Sequence, residues 1–401
     1  MEHIYWRKFW MKIKKILALL LALAMVLALA ACGGDNGGQQ TDNPPPAANN
    51  DADQPSAPAD DDAPADNAGG DLSSLNIGVF YYNYSDVYIS TVRAELDKQL
   101  DALGVKYTDY DGNTTQSTQM DQVNTAITNG ANLLIVNIVE NSSPDAAQNV
   151  VNAAKEKDIP VIFFNRDFDA SVINSYEKCA FVGTDPAEAG HMQGKMIADY
   201  LLANYDATDL NGDGSISYVM FKGQEGNVEA EYRTQYSVED ANAQLTGAGK
   251  AELTYYGGND AATKYLVDPN GAWSSAAATN YMDTILAEYS ETNGNMIELV
   301  ICNNDDMAMG AISSLQTAGY NNGSGKTIPV FGVDAVQNAK DAIAAGSMTG
   351  TVAQDAVGMA SSIVTLLQNF ANDGDLMSST GDMKVDPDSA KVRVPYAAYL
   401  G

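Results

Sequence analysis

The chain has 401 residues, with 22 Lys and Arg against 52 Asp and Glu, and a formal charge of −30. A surface that acidic argues against nucleic acid and against anionic solutes drawn in by long-range steering, and leaves neutral or cationic partners. The two histidines, His3 and His191, leave almost nothing from which to build a histidine-rich metal centre or a Ser-His-Asp triad.

Arg7, Lys8, Lys12, Lys14 and Lys15 precede an uninterrupted apolar run of 16 residues from Ile16 to Ala31. A spanning helix needs ~20 residues, and the order positive, apolar, small is that of a secretory signal. Leu29-Ala30-Ala31-Cys32 is the pattern of bacterial lipoproteins. Residues 1–31 are therefore expected to be removed, and Cys32 to become the acylated first residue that moors the protein outside the cell membrane. Cys32 to Asp71 holds nine aspartates and no Lys or Arg, with Pro44-Pro45-Pro46 and the pairs Gly33-Gly34 and Gly37-Gly38. That stretch has too little apolar surface to offset the entropy of ordering, and reads as a disordered spacer. Residues 1–31 hold five basic groups and one acidic group, so the chain beyond them is near −34.

The 330 residues from Leu72 to Gly401 exceed what one hydrophobic core usually serves, which favours two lobes. Strand-like and helix-like segments alternate in chain order. A strand over Leu75–Tyr81 precedes a helix over Val87–Leu103; Val105–Asp109 pairs with Ser117–Thr128, and Leu133–Asn137 with Pro144–Lys157. Strands at Val161–Asn165 and Ala180–Gly183 follow. The rhythm resumes with a helix from Pro186 to about Ala203, a strand at Ile216–Lys222 and a helix near Val228–Gln244. Glu252–Tyr256, a helix after Trp273, Glu298–Cys302, Met307–Thr317 and Val330–Val333 complete it. Strands alternating with helices of this length imply parallel sheets built from right-handed crossovers. The expected fold is α/β, two doubly wound parallel-sheet lobes divided near Thr184. Cys179 and Cys302 sit in apolar strand-like runs far apart, and are expected as buried free thiols.

In open parallel sheets, ligands sit beyond the carboxyl ends of the strands. There this chain places Tyr82, Asn83, Tyr84, Asp86 and Tyr88; Asn165-Arg166-Asp167; Asn303-Asn304-Asp305-Asp306; and Asp334. Each Asn or Asp alone is explained as a helix cap. Four strand ends of this kind, with aromatics beside one, point to a site. Carboxylates, amides and guanidinium groups suit sugar hydroxyls, which donate and accept at once, and Tyr88 and Trp273 offer flat faces to a pyranose.

Asp209-Leu210-Asn211-Gly212-Asp213-Gly214-Ser215-Ile216-Ser217 matches the first half of a calcium loop, with oxygen ligands at positions 1, 3 and 5 and glycine at 6. Position 12 is Met220, where the loop needs a bidentate Glu. Either this is an acidic turn without metal, or a distant residue supplies the carboxylate.

Taken together, NIGVFYYNYSDVY, GANLLIVNIVE, IPVIFFNRD, FVGTDPAEAGHMQGK, DLNGDGSIS, IELVICNNDDMAMGAISSLQ, IPVFGVDA, GTVAQDA and KVRVPY resemble, in order, the periplasmic glucose/galactose-binding proteins of bacterial sugar ABC transporters. The likeness covers nearly all of Leu75 to Tyr396. It implies a type I periplasmic-binding-protein-like fold with three chain crossings: one lobe from 72–184 plus 354–392, the other from 185–353 plus 393–401. It implies that Asp86, Asn165, Arg233, Asn304 and Asp334 hydrogen-bond the sugar and that Tyr88 and Trp273 sandwich its ring. It also implies structural Ca2+, with Glu298 supplying the missing carboxylate beside Asp209, Asn211, Asp213, the Ser215 carbonyl and Ser217.

The chain departs from the family pattern where a His, and an Asp two residues on, become Asn227 and Glu229, and where an Asn becomes Gln354. Ser217 replaces an amide ligand. These changes fall where the cleft selects its sugar. The implied protein is a monomeric, lipid-anchored, extracytoplasmic binder of galactose or glucose that serves an ABC permease. The alternatives are an exported carbohydrate-active enzyme, for which no catalytic motif is present, and a sugar-sensing adaptor for a membrane receptor.

Overall fold

A computed structural model describes residues 72–258, 260–323 and 325–401. The signal segment, Cys32 and the acidic spacer lie outside the described residues. After a short turn of 3-10 helix come β1 (Asn76–Tyr81), α1 (Val87–Leu103), β2 (Lys106–Asp111), α2 (Gln116–Thr128), β3 (Leu133–Val136), α3 (Pro144–Lys155), β4 (Val161–Phe164), α4 (Ala170–Asn174) and β5 (Cys179–Gly183). The chain continues through α5 (Pro186–Thr208), β6 (Ser217–Lys222), α6 (Val228–Gly247), β7 (Thr254–Tyr255), β8 (Leu266–Val267), α7 (Ser275–Glu288), β9 (Leu299–Cys302), α8 (Asp305–Thr317), β10 (Val330–Asp334), α9 (Gln337–Ala344) and β11 (Gly350–Gln354). It ends with α10 (Ala356–Asp373), β12 (Lys384–Val385), β13 (Lys391–Arg393) and β14 (Tyr396–Tyr399).

Two sheets result. The first runs β2-β1-β3-β4-β5-β13-β12 and the second β7-β6-β9-β10-β11-β14, with β8 also on β6. The first five strands of the first sheet are parallel in doubly wound order, and the second repeats the pattern. Central strands such as Val161-Ile162-Phe163-Phe164 and Leu299-Val300-Ile301-Cys302 are buried throughout, as strands covered by helices on both faces must be. Helix α1 buries Tyr88, Ile89, Val92, Leu96 and Leu100 at helical spacing. Asp86 caps its start, and Gly104 at φ 66° ends it in the left-handed conformation that glycine adopts without strain.

The chain crosses between lobes three times. It leaves β5 through Thr184 into α5, which packs on α6 and the second sheet; it leaves β11 through Asp355 into α10, which packs back on α1; and it passes from β13 to β14 through Val394 and Pro395. These segments form a three-strand hinge. Val394 N donates to Gly183 O at 2.7 Å, and Arg393 Nη1 to Thr184 O at 2.7 Å, so two of the segments are bonded to each other.

Local readings differ from the structure in places. The strand expected over Glu252–Tyr256 is only Thr254–Tyr255, and the helix expected to end near Ala203 runs to Thr208 across a non-helical Asn204. The elements after Val333 include a long helix, α10, and three short strands that periodicity had not marked. Cys179 and Cys302 are buried free thiols, and burial pushes both thiols up. Among the described residues no helix is long and apolar enough to cross a membrane.

Candidate functional site

The carboxyl ends of β1, β4, β6, β9, β10 and β11 converge on one cavity between the lobes. Tyr82, Asp86, Tyr88, Ile89, Asn165 and Arg166 line it from the first lobe. Asn227, Glu229, Arg233, Trp273, Asn304 and Asp334 line it from the second, and Gln354 from the second crossing. All ten residues that the sequence reading assigned to a ligand are thus brought together. Tyr82, Ile89 and Arg166 are additions. Tyr82 and Arg166 had been visible as strand-end residues, whereas nothing marked Ile89 apart from any other helix residue.

Several of these side chains cap helices while lining the cavity. Asp86 Oδ1 accepts from Ile89 N at 2.8 Å, Asn227 Oδ1 from Ala230 N at 3.0 Å, and Asn304 Oδ1 from Met307 N at 3.0 Å. Capping and lining therefore coexist: the cap fixes one oxygen, and the other atom of each group is held by a second protein partner at the cavity wall. Asp86 Oδ2 accepts from Tyr82 OH at 2.5 Å, and the Tyr82 ring lies 3.8 Å from the Arg166 guanidinium. Asn304 Nδ2 donates to Trp273 O at 3.1 Å.

Backbone strain concentrates here. Asn165 (φ 66°), Trp273 (φ 57°) and Asp334 (φ 124°) line the cavity with positive φ, and Ala335 (φ 54°) follows. Such conformations cost about 1–3 kcal/mol each and persist where the surroundings over-determine them. Trp273 shows how: its ring lies on Gly223, where an added Cβ would sit 2.0 Å from the indole Cδ2. The glycine makes room for the ring that the loop presents.

Burial pushes the carboxyls of Asp86, Glu229 and Asp334 up from their ordinary range. For Asp334, Arg233 opposes the rise, while Asp305 and Asp86 add to it. Asp305 sits behind the cavity, where burial pushes it up to about 7 although it accepts from Thr351 Oγ1 at 2.6 Å and Val336 N at 3.0 Å. Arg233 donates to Asn303 O at 2.9 Å and to Tyr396 OH at 3.0 Å, and Tyr396 OH also accepts from Thr184 Oγ1 at 2.8 Å. The guanidinium is thereby tied to two hinge segments. Three buried polar atoms of lining residues have no partner in the protein: Arg233 Nε, Trp273 Nε1 and Gln354 Oε1.

The 209–217 loop lies on the far side of the second lobe, between α5 and β6. Glu298 reaches it from the start of β9: Oε1 accepts from Leu210 N at 2.7 Å, and Oε2 from Ser217 N at 2.8 Å and Ser217 Oγ at 3.1 Å. Asp209 accepts from Gly212 N and Gly214 N, Asn211 Oδ1 from Asp213 N, and Asp213 Oδ1 from Ser215 N. Ser215 Oγ bonds with Thr254 Oγ1 at 2.8 Å. Burial, and after it Asp209, Asp213 and Glu298, push up the Tyr205 hydroxyl. Among the described residues no trio of His, Cys, Asp or Glu is gathered as a metal site by itself. The donors here are instead a mixed set of hard oxygens from carboxylates, an amide and a carbonyl, the chemistry that suits calcium.

Two α/β lobes on a three-segment hinge, closing over one polar cavity at their strand ends, define a protein that holds a small solute between its halves. Residues 77–375 match the family described as periplasmic binding protein domain. The D-galactose/methyl-galactoside binding periplasmic protein of Haemophilus influenzae is 37% identical over 321 residues, covering 80% of this chain and 88% of that protein. The chain belongs to the periplasmic binding protein family, and it is a binding protein, not an enzyme. A solute-binding protein of Clostridium phytofermentans, solved with β-D-glucose, has a TM-score of 0.62 at 23% identity, covering 81% of this chain and 94% of that one. The myo-inositol binding protein of Caulobacter has a TM-score of 0.60 at 19% identity, covering 81% and 93%. These two share the fold.

Proposed function

We propose that the protein captures a monosaccharide, galactose or glucose, in the interlobe cavity outside the cytoplasm and presents the closed form to an ABC permease. The observation that carries this reading is the lining itself. Two donors (Arg233 Nε and Trp273 Nε1) and an acceptor (Gln354 Oε1) lack protein partners, in a cavity also lined by Tyr88 and Trp273. Unpaired buried polar atoms cost about 1–3 kcal/mol each, and a ring carrying several hydroxyls satisfies donors and acceptors together. The similarity to the Haemophilus protein, named for galactose, favours that hexose.

Calorimetry on the purified protein tests the reading. Binding of galactose or glucose is expected; binding of a pentose or nucleoside with no response to any aldohexose would overturn the ligand class. The same proposal includes anchoring through lipid on Cys32 and calcium at the loop, held by Asp209, Asn211, Asp213, the Ser215 carbonyl and Glu298, with Ser217 beside them. Bound there, calcium supplies a cross-link between the loop and β9. Chelator should lower the melting temperature of the wild type and leave Glu298→Gln unchanged. Equal melting with and without chelator, in protein shown to contain calcium, would remove the metal from the proposal.

A further inference from the structure

Across the cavity mouth the lobes are bonded directly to each other. Asn141, in the loop between β3 and α3, is 4% exposed and does not line the cavity. Its Oδ1 accepts from Asn227 Nδ2 of the second lobe at 3.0 Å. Its Nδ2 donates to Asp167 O at 2.8 Å in its own lobe and to Glu229 Oε2 of the second lobe at 3.0 Å. The other Glu229 oxygen accepts from Asp167 N at 2.6 Å. The amide orientations follow from one fixed point. Asn227 Oδ1 is committed to Ala230 N as the cap of α6, so its Nδ2 must face Asn141, and Asn141 must then offer its own Nδ2 to Glu229. Reversing either amide sets two donors or two acceptors against each other.

Behind this network stands the hinge. The Asp167 carboxylate accepts from Lys391 Nζ at 2.6 Å and Arg393 Nη1 at 2.7 Å, on β13 where it leads into the third crossing, and Arg393 Nη1 also reaches Thr184 O on the first. The peptide of Asp167 that meets Glu229 and Asn141 is therefore braced on two of the three hinge segments. Arg166 adds a further bond across the lobes, from Nη2 to Gln224 Oε1 at 2.5 Å.

We infer that Asn141, Asn227, Glu229 and the Asp167 backbone form a clasp that holds the lobes closed, and that Asn141 is a positioning residue that sets solute affinity through closure without touching the solute. The inference rests on the monosaccharide reading only for the choice of ligand. A solute bound between two lobes leaves as fast as the lobes open, so a bond made only in the closed form slows release and raises the closed fraction before binding. It also gives a physical account of the two departures Asn227 and Glu229. The extra methylene of Glu carries its carboxylate across to the first lobe, and an Asn at 227 can cap α6 and bridge to Asn141 at once.

The test uses Asn141→Ala in the purified protein, with small-angle scattering, stopped-flow Trp fluorescence and a panel of hexoses. The expected result is a larger radius of gyration without sugar than in the wild type and about tenfold faster release of galactose, the worth of one charge-assisted hydrogen bond. The ranking of the sugars should be unchanged. Should Asn141→Ala fail to fold, Asn141→Asp keeps the size of the side chain but sets two carboxylates face to face, away from the solute, and should show the same radius and release. An unchanged radius with unchanged release would overturn the clasp, as would a changed sugar ranking at unchanged release. If the wild type binds no monosaccharide, the proposed function fails. The scattering comparison without sugar then still decides the clasp on its own.

Discussion

The two lobes share one strand order but leave their unpaired groups in different places. In the first lobe the buried side-chain atoms without a partner are Tyr81 OH, Asp97 Oδ1, Asp109 Oδ1, Gln122 Oε1 and Tyr176 OH, and none belongs to a residue lining the cavity. In the second lobe Gln193 Oε1 and Ser237 Oγ also lie away from the cavity, but Arg233 Nε, Trp273 Nε1 and Gln354 Oε1 belong to residues that line it. The first lobe's cavity residues are already bonded within the protein: Asp86 to Ile89 N and Tyr82 OH, and Asn165 Oδ1 to Asn137 Nδ2 at 3.2 Å. One lobe thus presents a finished wall, while the other carries the hydrogen-bonding capacity still to be used. Substitutions in the second lobe should therefore cost more affinity than matched ones in the first.

The largest effect is expected from Arg233→Ala. It removes the unpaired Nε and the bonds to Asn303 O and Tyr396 OH, and leaves buried Asp334 without the cation that opposes its rise. Affinity for galactose should fall by at least about 100-fold, on the ~3 kcal/mol scale of a lost charged hydrogen-bond partner; a loss under tenfold by calorimetry would contradict the comparison. Gly223→Ala comes next. Its Cβ would sit 2.0 Å from the Trp273 ring, which has to move at a cost of about 1–3 kcal/mol. A roughly tenfold weaker binding and a changed tryptophan emission are expected, and unaltered emission would show that the ring is not held there. Asp86→Asn, in the first lobe, should cost less than either, because Asn caps a helix about as well as Asp and the Tyr82 hydroxyl can reverse its bond to an amide.

The same contrast explains what the sequence could reveal. Runs such as VIFF and LVIC, and polar residues just past them, made the sheets and Asp86, Tyr88, Asn165, Asn304 and Asp334 legible because each strand end carries its own local signal, whereas Asn227, Glu229, Arg233 and Gln354 came only from the resemblance to a known family. The short strands β12, β13 and β14 were not legible: two to four residues long, they pair with β5 and β11 from far along the chain, and no local period records that. Asn141 was equally silent, since its partners lie on the other lobe and become neighbours only when the hinge is closed. Capping, the simplest explanation of Asp86, Asn227 and Asn304, proved compatible with lining the cavity because a cap uses only one atom of the amide or carboxylate.

The smallest effect on binding, none at all, is expected where the first lobe's unpaired groups cluster. Asp97 Oδ1 on α1 and Asp109 Oδ1 on β2 lack a partner while both groups are ionised, and a proton on Asp109 makes it a donor to Asp97. Burial first, and then Asp97, push the Asp109 carboxyl up to about 7, with Arg93 opposing the rise. An unfolded Asp titrates near 3.9. Between about 4 and 7 the folded protein therefore keeps a proton that the unfolded chain has released, and the slope of stability with pH is negative wherever the native state binds more protons. The sign follows: stability is highest below about 4 as far as this pair is concerned, declines as pH rises through the window, and loses nothing more above about 7. Asp305, also pushed up to about 7, bends the wild-type curve the same way, so the informative quantity is the difference between wild type and Asp109→Asn. The amide donates to Asp97 at every pH, and the variant should melt higher than wild type at pH 8, with the advantage shrinking toward pH 4. Galactose affinity should be the same in both, because Asp109 lies away from the cavity lining. A constant difference across the whole range would mean that the two carboxyls do not share a proton, and that the first lobe is less finished than its cavity wall suggests.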